Sequence, residues 1–183
     1  MRLFLALLAA FSFLLSQDLK SLENKSLIEL FKEHYYSYIC LHRWTYINKY
    51  QKKDEKLLSL VAYACLKKNY LTPALDLSKV LRITKAGRIN ATYINTLYLI
   101  KLLLIQFIKD NYNISNLTLP KVEGNLLAKV FYLAQYQKPA IVDNSFEVKE
   151  NNTTYKVSFK EDINNIIIDI YQNNKLIKKE KFW

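Results

Sequence analysis

The sequence contains little glycine, proline, histidine or cysteine. Only two glycines and three prolines occur in 183 residues, which argues against a glycine-rich phosphate-binding loop and favours long, uninterrupted helices. The two histidines, His34 and His42, have no third ligand at metal-site spacing, so we predict no metal site. No nucleophile motif such as Gly-x-Ser-x-Gly is found, so we predict no catalytic residue and no cofactor.

Acidic residues are also scarce, with 16 Asp and Glu against 27 Lys and Arg, a net charge of +11. Residues 17–112 hold sixteen basic and eight acidic side chains, whereas residues 113–183 hold ten and eight. Nucleic-acid binding would need this charge gathered on one face, but the lysines are scattered and only four arginines occur. We therefore predict no nucleic-acid partner, and keep an anionic membrane surface or envelope polymer as one partner class.

Residues 1–16 have the pattern of a secretory signal peptide. One arginine precedes an apolar run at residues 3–15, and Ser16 is a suitable cleavage position; cleavage after Ser12 is the alternative. The run is short for a spanning helix, which needs about 20 residues. The pattern predicts a periplasmic or secreted protein, with attachment to the inner membrane through an uncleaved signal anchor as the alternative.

Apolar residues at spacings of three and four predict a helical domain over residues 17–112. We expect helices at about residues 19–33, 35–51, 55–68 and 88–110, with Asp54 as an amino-terminal cap. Another helix should begin near Thr72 and Pro73 and end near Gly87. The segment 88–110 is the most apolar, and we interpret it as a core helix rather than a membrane span.

In the last forty residues, the spacing of apolar residues changes from three and four to two. Residues 113–144 are predicted to be a connection with one helix, at about 125–137. Alternating apolar residues and asparagine-rich turns then predict a four-stranded antiparallel β-meander over residues 145–183. The expected fold class is α+β, with an amino-terminal array of antiparallel helical hairpins and a small carboxy-terminal meander.

Residues 57–81 resemble a tetratricopeptide repeat. The small residues Ala62 and Ala74 stand where the paired helices of that family approach each other, although Asn69 replaces the usual turn glycine and Ser78 the large aromatic. The resemblance extends weakly over residues 21–110, and any bundle of antiparallel helical hairpins gives a partly similar pattern.

The resemblance implies that one face of the first helix lines a concave surface for a partner. In this register the partner-binding residues would be Lys56, Ser59, Tyr63 and Lys67. An ordinary solvated helix face is the alternative interpretation. Under the resemblance, the partner is a protein of the cell envelope.

The two cysteines, Cys40 and Cys65, should lie at the same level of one antiparallel hairpin, because its turn centres near residues 52 and 53. In an oxidising compartment such a pair favours a disulfide, which would contribute about 3 kcal/mol to stability. Two buried free thiols are the alternative, since cysteine is common in protein cores.

A candidate modification site lies in a predicted hairpin turn. Asn152 is followed by two threonines and preceded, two residues earlier, by Glu150, which resembles the extended acceptor site of bacterial N-glycosylation. A polar turn that matches by composition is the alternative.

These features together predict an exported envelope protein that acts as a non-enzymatic interaction or scaffold module. The alternative is an envelope enzyme or accessory subunit whose carboxylates or histidines come together only in the fold.

Overall fold

A computed structural model of the chain describes residues 21–183, and the predicted signal peptide at residues 1–16 lies outside these residues. They form a mixed α+β structure of helices followed by one antiparallel sheet. The helices are α1 (Leu27–Lys32), α2 (Tyr36–Leu41), α3 (Arg43–Tyr50), α4 (Glu55–Lys67), α5 (Leu71–Ser78), α6 (Lys85–Asp110) and α7 (Leu126–Gln137). The strands are β1 (Ser145–Glu150), β2 (Thr153–Lys160), β3 (Asn165–Gln172) and β4 (Lys175–Phe182).

The first helices are shorter than the apolar pattern predicts. A capping box between Ser26 and Glu29 starts α1, which ends where His34 takes a positive φ of 63°. The predicted helix at 35–51 is interrupted at His42, whose ring Nδ1 lies 2.9 Å from the Tyr38 carbonyl oxygen. Helix α4 follows the prediction closely, and Asp54 caps it by accepting hydrogen bonds from the amides of Lys56 and Leu57.

Helix α5 begins one residue earlier than predicted and is much shorter. The amides of Leu71 and Thr72 donate to the main-chain oxygen of Trp183, so Trp183 satisfies the first turn of α5. The helix ends at Ser78 instead of near Gly87. Thr84 caps α6, and Gly87 lies inside the first turn of that helix.

The sheet agrees with the predicted meander. Its strand order is β1-β2-β3-β4, and every neighbouring pair is antiparallel. Asparagines occupy the left-handed conformation in each hairpin turn, with φ of 52° at Asn151, 49° at Asn164 and 49° and 63° at Asn173 and Asn174. Asparagine tolerates this conformation better than most residues, which explains why hairpins form without glycine.

Buried apolar residues form two clusters. The amino-terminal cluster contains the buried apolar residues of α1 to α4 with Ala74, Leu77, Leu81 and Ile94. The carboxy-terminal cluster contains those of α7 and the inner face of the sheet, joined by Leu71, Ile114, Val122 and α6 residues from Leu97 to Ile108. The sheet packs on α6 as well as on α7, since the ring centroids of Phe107 and Phe146 are 5.2 Å apart.

Helix α6 alone among the described helices is long and apolar enough to cross a membrane by length and composition. In the structure it supplies Ile94 to one cluster and Leu97 and Ile100 to the other. Packing inside the protein explains part of its apolar character, while Leu99 and Leu102 of the same helix are exposed.

The α4–α5 hairpin does not confirm the tetratricopeptide repeat that residues 57–81 resemble, since α5 has only eight residues. Ala62 and Ala74 are buried in the same cluster, and Asn69 has a φ of 56° at the position of the repeat's turn glycine. The array of hairpins is not confirmed, because the described residues before this hairpin include the short helices α1 to α3.

Candidate functional site

The candidate site is a cleft of about 350 Å³ between α4, α6 and the turn that leads into α7. Two turns of α4 supply one wall, because residues four apart lie on one face of a helix. The lining residues are Ser59, Ala62, Tyr63, Leu66 and Lys67 of α4, Asn90, Tyr93 and Ile94 of α6, and Gly124 and Asn125. We call this the α4–α6 cleft.

Tyr63 and Lys67 form the mouth of the α4–α6 cleft. The Tyr63 side chain is 44% exposed, and its ring centroid lies 5.8 Å from Phe31 and 6.4 Å from Tyr36. The Lys67 Nζ lies 5.1 Å from the centre of the Tyr63 ring. A hydrogen bond to the Tyr63 hydroxyl raises the pKa of Lys67, so the ammonium group stays charged at neutral pH.

Neutral polar groups lie deeper in the cleft. The Asn90 amide donates to the Ser59 hydroxyl at 3.1 Å, and that hydroxyl donates to the Glu55 carbonyl oxygen at 3.1 Å. The Tyr93 hydroxyl donates to the Glu123 carbonyl oxygen at 3.3 Å. Burial raises the pKa of Tyr93, so this phenol is neutral and acts as a hydrogen-bond donor.

The buried carboxylate of Glu55 links α4 to the turn that precedes α6, the two helices that form the cleft. Glu55, in the first turn of α4, accepts hydrogen bonds of 2.7 Å from the amides of Ile83 and Thr84 and another from the Thr84 hydroxyl. Burial alone would raise the pKa of Glu55, but the hydrogen bonds from Thr84 and Ile83 outweigh it and lower the pKa. The carboxyl group fills the space beside Gly87, where a Cβ atom would overlap it.

This carboxylate explains the position of Gly87. The sequence suggests that Gly87 ends a helix, whereas the structure uses its missing side chain for close approach. As an acid in the first turn of α4, Glu55 also favours the start of that helix. Glu55 contacts Ile83 and Thr84, which follow it by 28 and 29 positions, so no local sequence pattern predicts these contacts.

The structure brings three of the four predicted partner-binding residues together. Ser59, Tyr63 and Lys67 line the α4–α6 cleft. Lys56 is exposed one turn before Ser59 and does not line it. Asn90, Tyr93 and Asn125 were not predicted, since they come from segments whose distance from α4 no local pattern reveals.

The two cysteines lie where the hairpin geometry places them. Cys40 of α2 and Cys65 of α4 are both fully buried, with their Cα atoms 4.9 Å apart and their sulfur atoms joined in a disulfide. The predicted juxtaposition of the two thiols is confirmed. The link ties α2 to the helix that carries Ser59, Tyr63 and Lys67, and so supports the wall of the cleft.

The remaining candidate residues lie apart from the cleft. Asn152 is exposed in the turn between β1 and β2. The His34 Nδ1 lies 2.8 Å from the Tyr36 hydroxyl. Within residues 21–183, no three His, Cys, Asp or Glu side chains are grouped closely enough to share a metal ion.

The lining of the α4–α6 cleft combines apolar surface with a few polar groups. Its residues include aromatic rings, aliphatic side chains, amides and one cation, but no Asp, Glu, His or Cys. An apolar surface with a few directed polar groups is typical of a recognition site. Lys67 gives this surface a preference for an occupant with negative charge.

No family model, curated protein or solved structure matches this chain. The cleft is therefore interpreted from its own residues. The volume of the cleft, the exposed Tyr63 ring and the charge of Lys67 are the observations from which a function is proposed.

Proposed function

We propose that this chain is an exported, non-enzymatic interaction module that binds a peptide segment of an envelope protein in the α4–α6 cleft. The observation that carries the proposal is the exposed Tyr63 ring beside the Lys67 ammonium, at the mouth of an apolar cleft with no acidic lining residue. Aromatic side chains supply large contact area at binding sites with little loss of conformational entropy.

The chemistry of the lining defines the expected peptide. The apolar faces of Tyr93, Ile94 and Leu66 favour an aliphatic or aromatic side chain, and Lys67 favours a neighbouring carboxylate. The amides of Asn90 and Asn125 offer directed hydrogen bonds to a peptide backbone. The likeness of the α4–α5 hairpin to a tetratricopeptide repeat supports this use of the α4 face.

Export is supported by the signal-like residues 1–16, and the Cys40–Cys65 pair is compatible with an oxidising compartment. Mass measurement of the protein isolated from its cell tests this part of the proposal. Loss of about sixteen residues is the expected result. A chain that still begins at Met1 would favour the uncleaved signal anchor instead.

Site-specific photocrosslinking tests the binding site. A benzophenone amino acid at Tyr63 should crosslink one partner in cells, whereas the same group at Tyr136 should not. Tyr136 is 87% exposed and lies outside the cleft, so it controls for random collisions. Equal crosslinking from both positions would contradict the proposal.

A charge variant tests the preference for a carboxylate. In a screen of fluorescent peptides, Lys67→Gln should weaken binding of acidic peptides by about tenfold, since a charge-assisted hydrogen bond contributes about 1.5 kcal/mol or more. Lys68→Gln is the matched control, because Lys68 is exposed next to Lys67 but does not line the cleft. The same loss in both variants would point to net charge alone.

A further inference from the structure

A second surface, at the amino-terminal end of α6, combines exposed isoleucines with cations. Ile83 is 66% exposed and Ile89 is 59% exposed, the highest fractions for any isoleucine in residues 21–183. Arg82, Lys85 and Arg88 are exposed between and beside them. We call these five residues the basic apolar patch.

The residues of the patch adjoin one another. The Arg88 Nη1 donates to the carbonyl oxygen of Ile83 at 2.7 Å and to that of Arg82 at 3.2 Å, so its positive charge lies against the turn that exposes Ile83. Lys85, Arg88 and Ile89 also line a shared groove of about 330 Å³.

This groove continues the patch along α6. Thr92 and Tyr93 extend one wall, and Pro120 and Val122 form the opposite wall. Ile89, Tyr93, Pro120 and Val122 give the groove an apolar surface. Lys85, Arg88 and Lys121 also line it, and Lys121 pairs with Glu123. A ligand with an anionic head and an apolar body would match both parts of the groove.

The cations of the patch are not paired with an acid, although the ionised Glu55 carboxylate lies beneath the turn and offsets part of their charge. Residues 77–109 contain no Asp or Glu. Within the described part of the chain, Arg82, Lys85 and Arg88 form no ion pair, whereas Lys79 pairs with Asp76. Glu55 lies close to the turn, but it is buried and accepts hydrogen bonds from Ile83 and Thr84.

We propose that the basic apolar patch docks the protein on a membrane surface that contains anionic phospholipid. The cations would lie at the level of the phosphates, and Ile83 and Ile89 would enter the boundary between headgroups and acyl chains. Neither interaction alone is strong, and their combination at one place gives stable but reversible attachment. This inference is independent of the peptide proposed for the α4–α6 cleft.

Vesicle flotation of the full chain tests the role of the cations. Binding should be strong on vesicles of phosphatidylcholine with phosphatidylglycerol and weak on phosphatidylcholine alone. Arg82→Gln with Lys85→Gln should weaken binding by about 25-fold, about fivefold per cation, because each cation near an anionic surface contributes about 1 kcal/mol.

The control must remove the same charge elsewhere. Lys175→Gln with Lys181→Gln also removes two exposed cations, but from β4, and should weaken binding far less. Equal losses in the two variants would overturn the proposal, because they would show a response to net charge alone. All variants keep residues 1–16, so any contribution of that segment is the same in each.

A second pair of variants tests insertion of the isoleucines. Ile83→Ser with Ile89→Ser should weaken vesicle binding at least tenfold, since each side chain loses apolar contact with the bilayer. Leu176→Ser with Ile177→Ser removes two side chains of similar exposure from β4 and should leave binding unchanged.

A soluble polyanion separates a membrane from an acidic protein as the occupant of the patch. Polyglutamate should bind more weakly than vesicles and should not respond to Ile83→Ser with Ile89→Ser. If polyglutamate binding depends on the isoleucines, or if vesicle binding does not, the membrane proposal is wrong. Thermal unfolding of every variant confirms that the fold is retained.

Discussion

The amino-terminal and carboxy-terminal clusters are held together by different kinds of interaction. The first joins short helices through a disulfide and through the buried carboxylate of Glu55. The second joins a sheet to α6 and α7 through a continuous ladder of backbone hydrogen bonds and apolar contacts. The helical part therefore relies on a few contacts of large individual effect, whereas the sheet distributes its stability over many small ones.

The largest effect should follow from removing the disulfide. Cys40→Ala with Cys65→Ala should lower the free energy of unfolding by about 3 kcal/mol, because the unfolded chain gains conformational freedom. Urea unfolding followed by circular dichroism and by tryptophan fluorescence measures this change. As a control, a reductant should destabilise the wild-type protein and leave the double variant unchanged. Labelling of both thiols in unreduced protein would contradict the bridge.

The Glu55 carboxylate should have the next largest effect. Glu55→Gln should lower the unfolding free energy by about 2 kcal/mol at neutral pH, because charge-assisted hydrogen bonds from Ile83 and Thr84 are weakened. Because its folded pKa lies below the usual 4.5, Glu55 stabilises the protein above that pH and loses its effect as pH falls through the folded pKa.

Urea unfolding at a series of pH values tests the sign of this dependence. The difference between wild type and Glu55→Gln should shrink as the pH falls below about 4.5. Glu33→Gln serves as the control, since Glu33 is exposed and does not contact the Ile83–Thr84 turn. A difference that stays constant with pH would rule out a contribution from ionised Glu55.

Gly87 should show an effect whose sign depends on Glu55. Gly87→Ala should destabilise the wild-type protein by about 1 to 2 kcal/mol, because the added methyl group overlaps the Glu55 carboxyl group. In a Glu55→Ala background the same change should stabilise by about 0.5 kcal/mol, because alanine is the better helix former.

A double-mutant cycle measures this coupling. Gly124→Ala is the control, since Gly124 has a φ of 71° and no neighbour within 4 Å of an added Cβ. The loss of unfolding free energy in Gly124→Ala should come from backbone strain alone. It should therefore be the same with and without the Glu55 side chain. If Gly87→Ala has the same effect in both backgrounds, the close approach is not what selects glycine.

The smallest effect is expected on the outer face of the sheet. Asp169 lies in register between Lys156 of β2 and Lys179 of β4, and its Oδ1 is 3.2 Å from the Lys179 Nζ. Asp169→Asn should cost about 0.5 to 1 kcal/mol, and the cost should decrease at high ionic strength. Unfolding at low and high salt measures it. Glu147→Gln should cost less, since Glu147 on the edge strand faces only Lys156.

The sheet could be predicted because its determinants are local. Alternating side chains such as Tyr155 and Val157 place one face inside, and each turn contains asparagines that accept a positive φ. Strand pairing then follows from short turns between neighbouring strands. All four predicted strands are confirmed.

The helix boundaries in the first half depend on partners far along the chain. The start of α5 depends on the Trp183 main chain, and the first turn of α6 depends on Glu55. Neither contact leaves a local pattern. The start of α5 at Leu71 is close to the predicted start near Thr72, whereas the predicted helix end near Gly87 was wrong. The same limit applies to the candidate site. Ser59, Tyr63 and Lys67 could be predicted because they share one helix face. Asn90 and Asn125 could not, because they come from other segments of the chain.

Helix α6 has a consequence for the motions of the whole molecule. Because it contributes side chains to both clusters, opening either cluster exposes part of the same helix to water. The α6 amides from Leu97 to Leu104 should therefore exchange with deuterium when the carboxy-terminal cluster opens, and those around Ile94 when the amino-terminal cluster opens. A peptide held in the α4–α6 cleft should slow exchange around Ile94, which lines the cleft, more than exchange from Leu97 to Leu104.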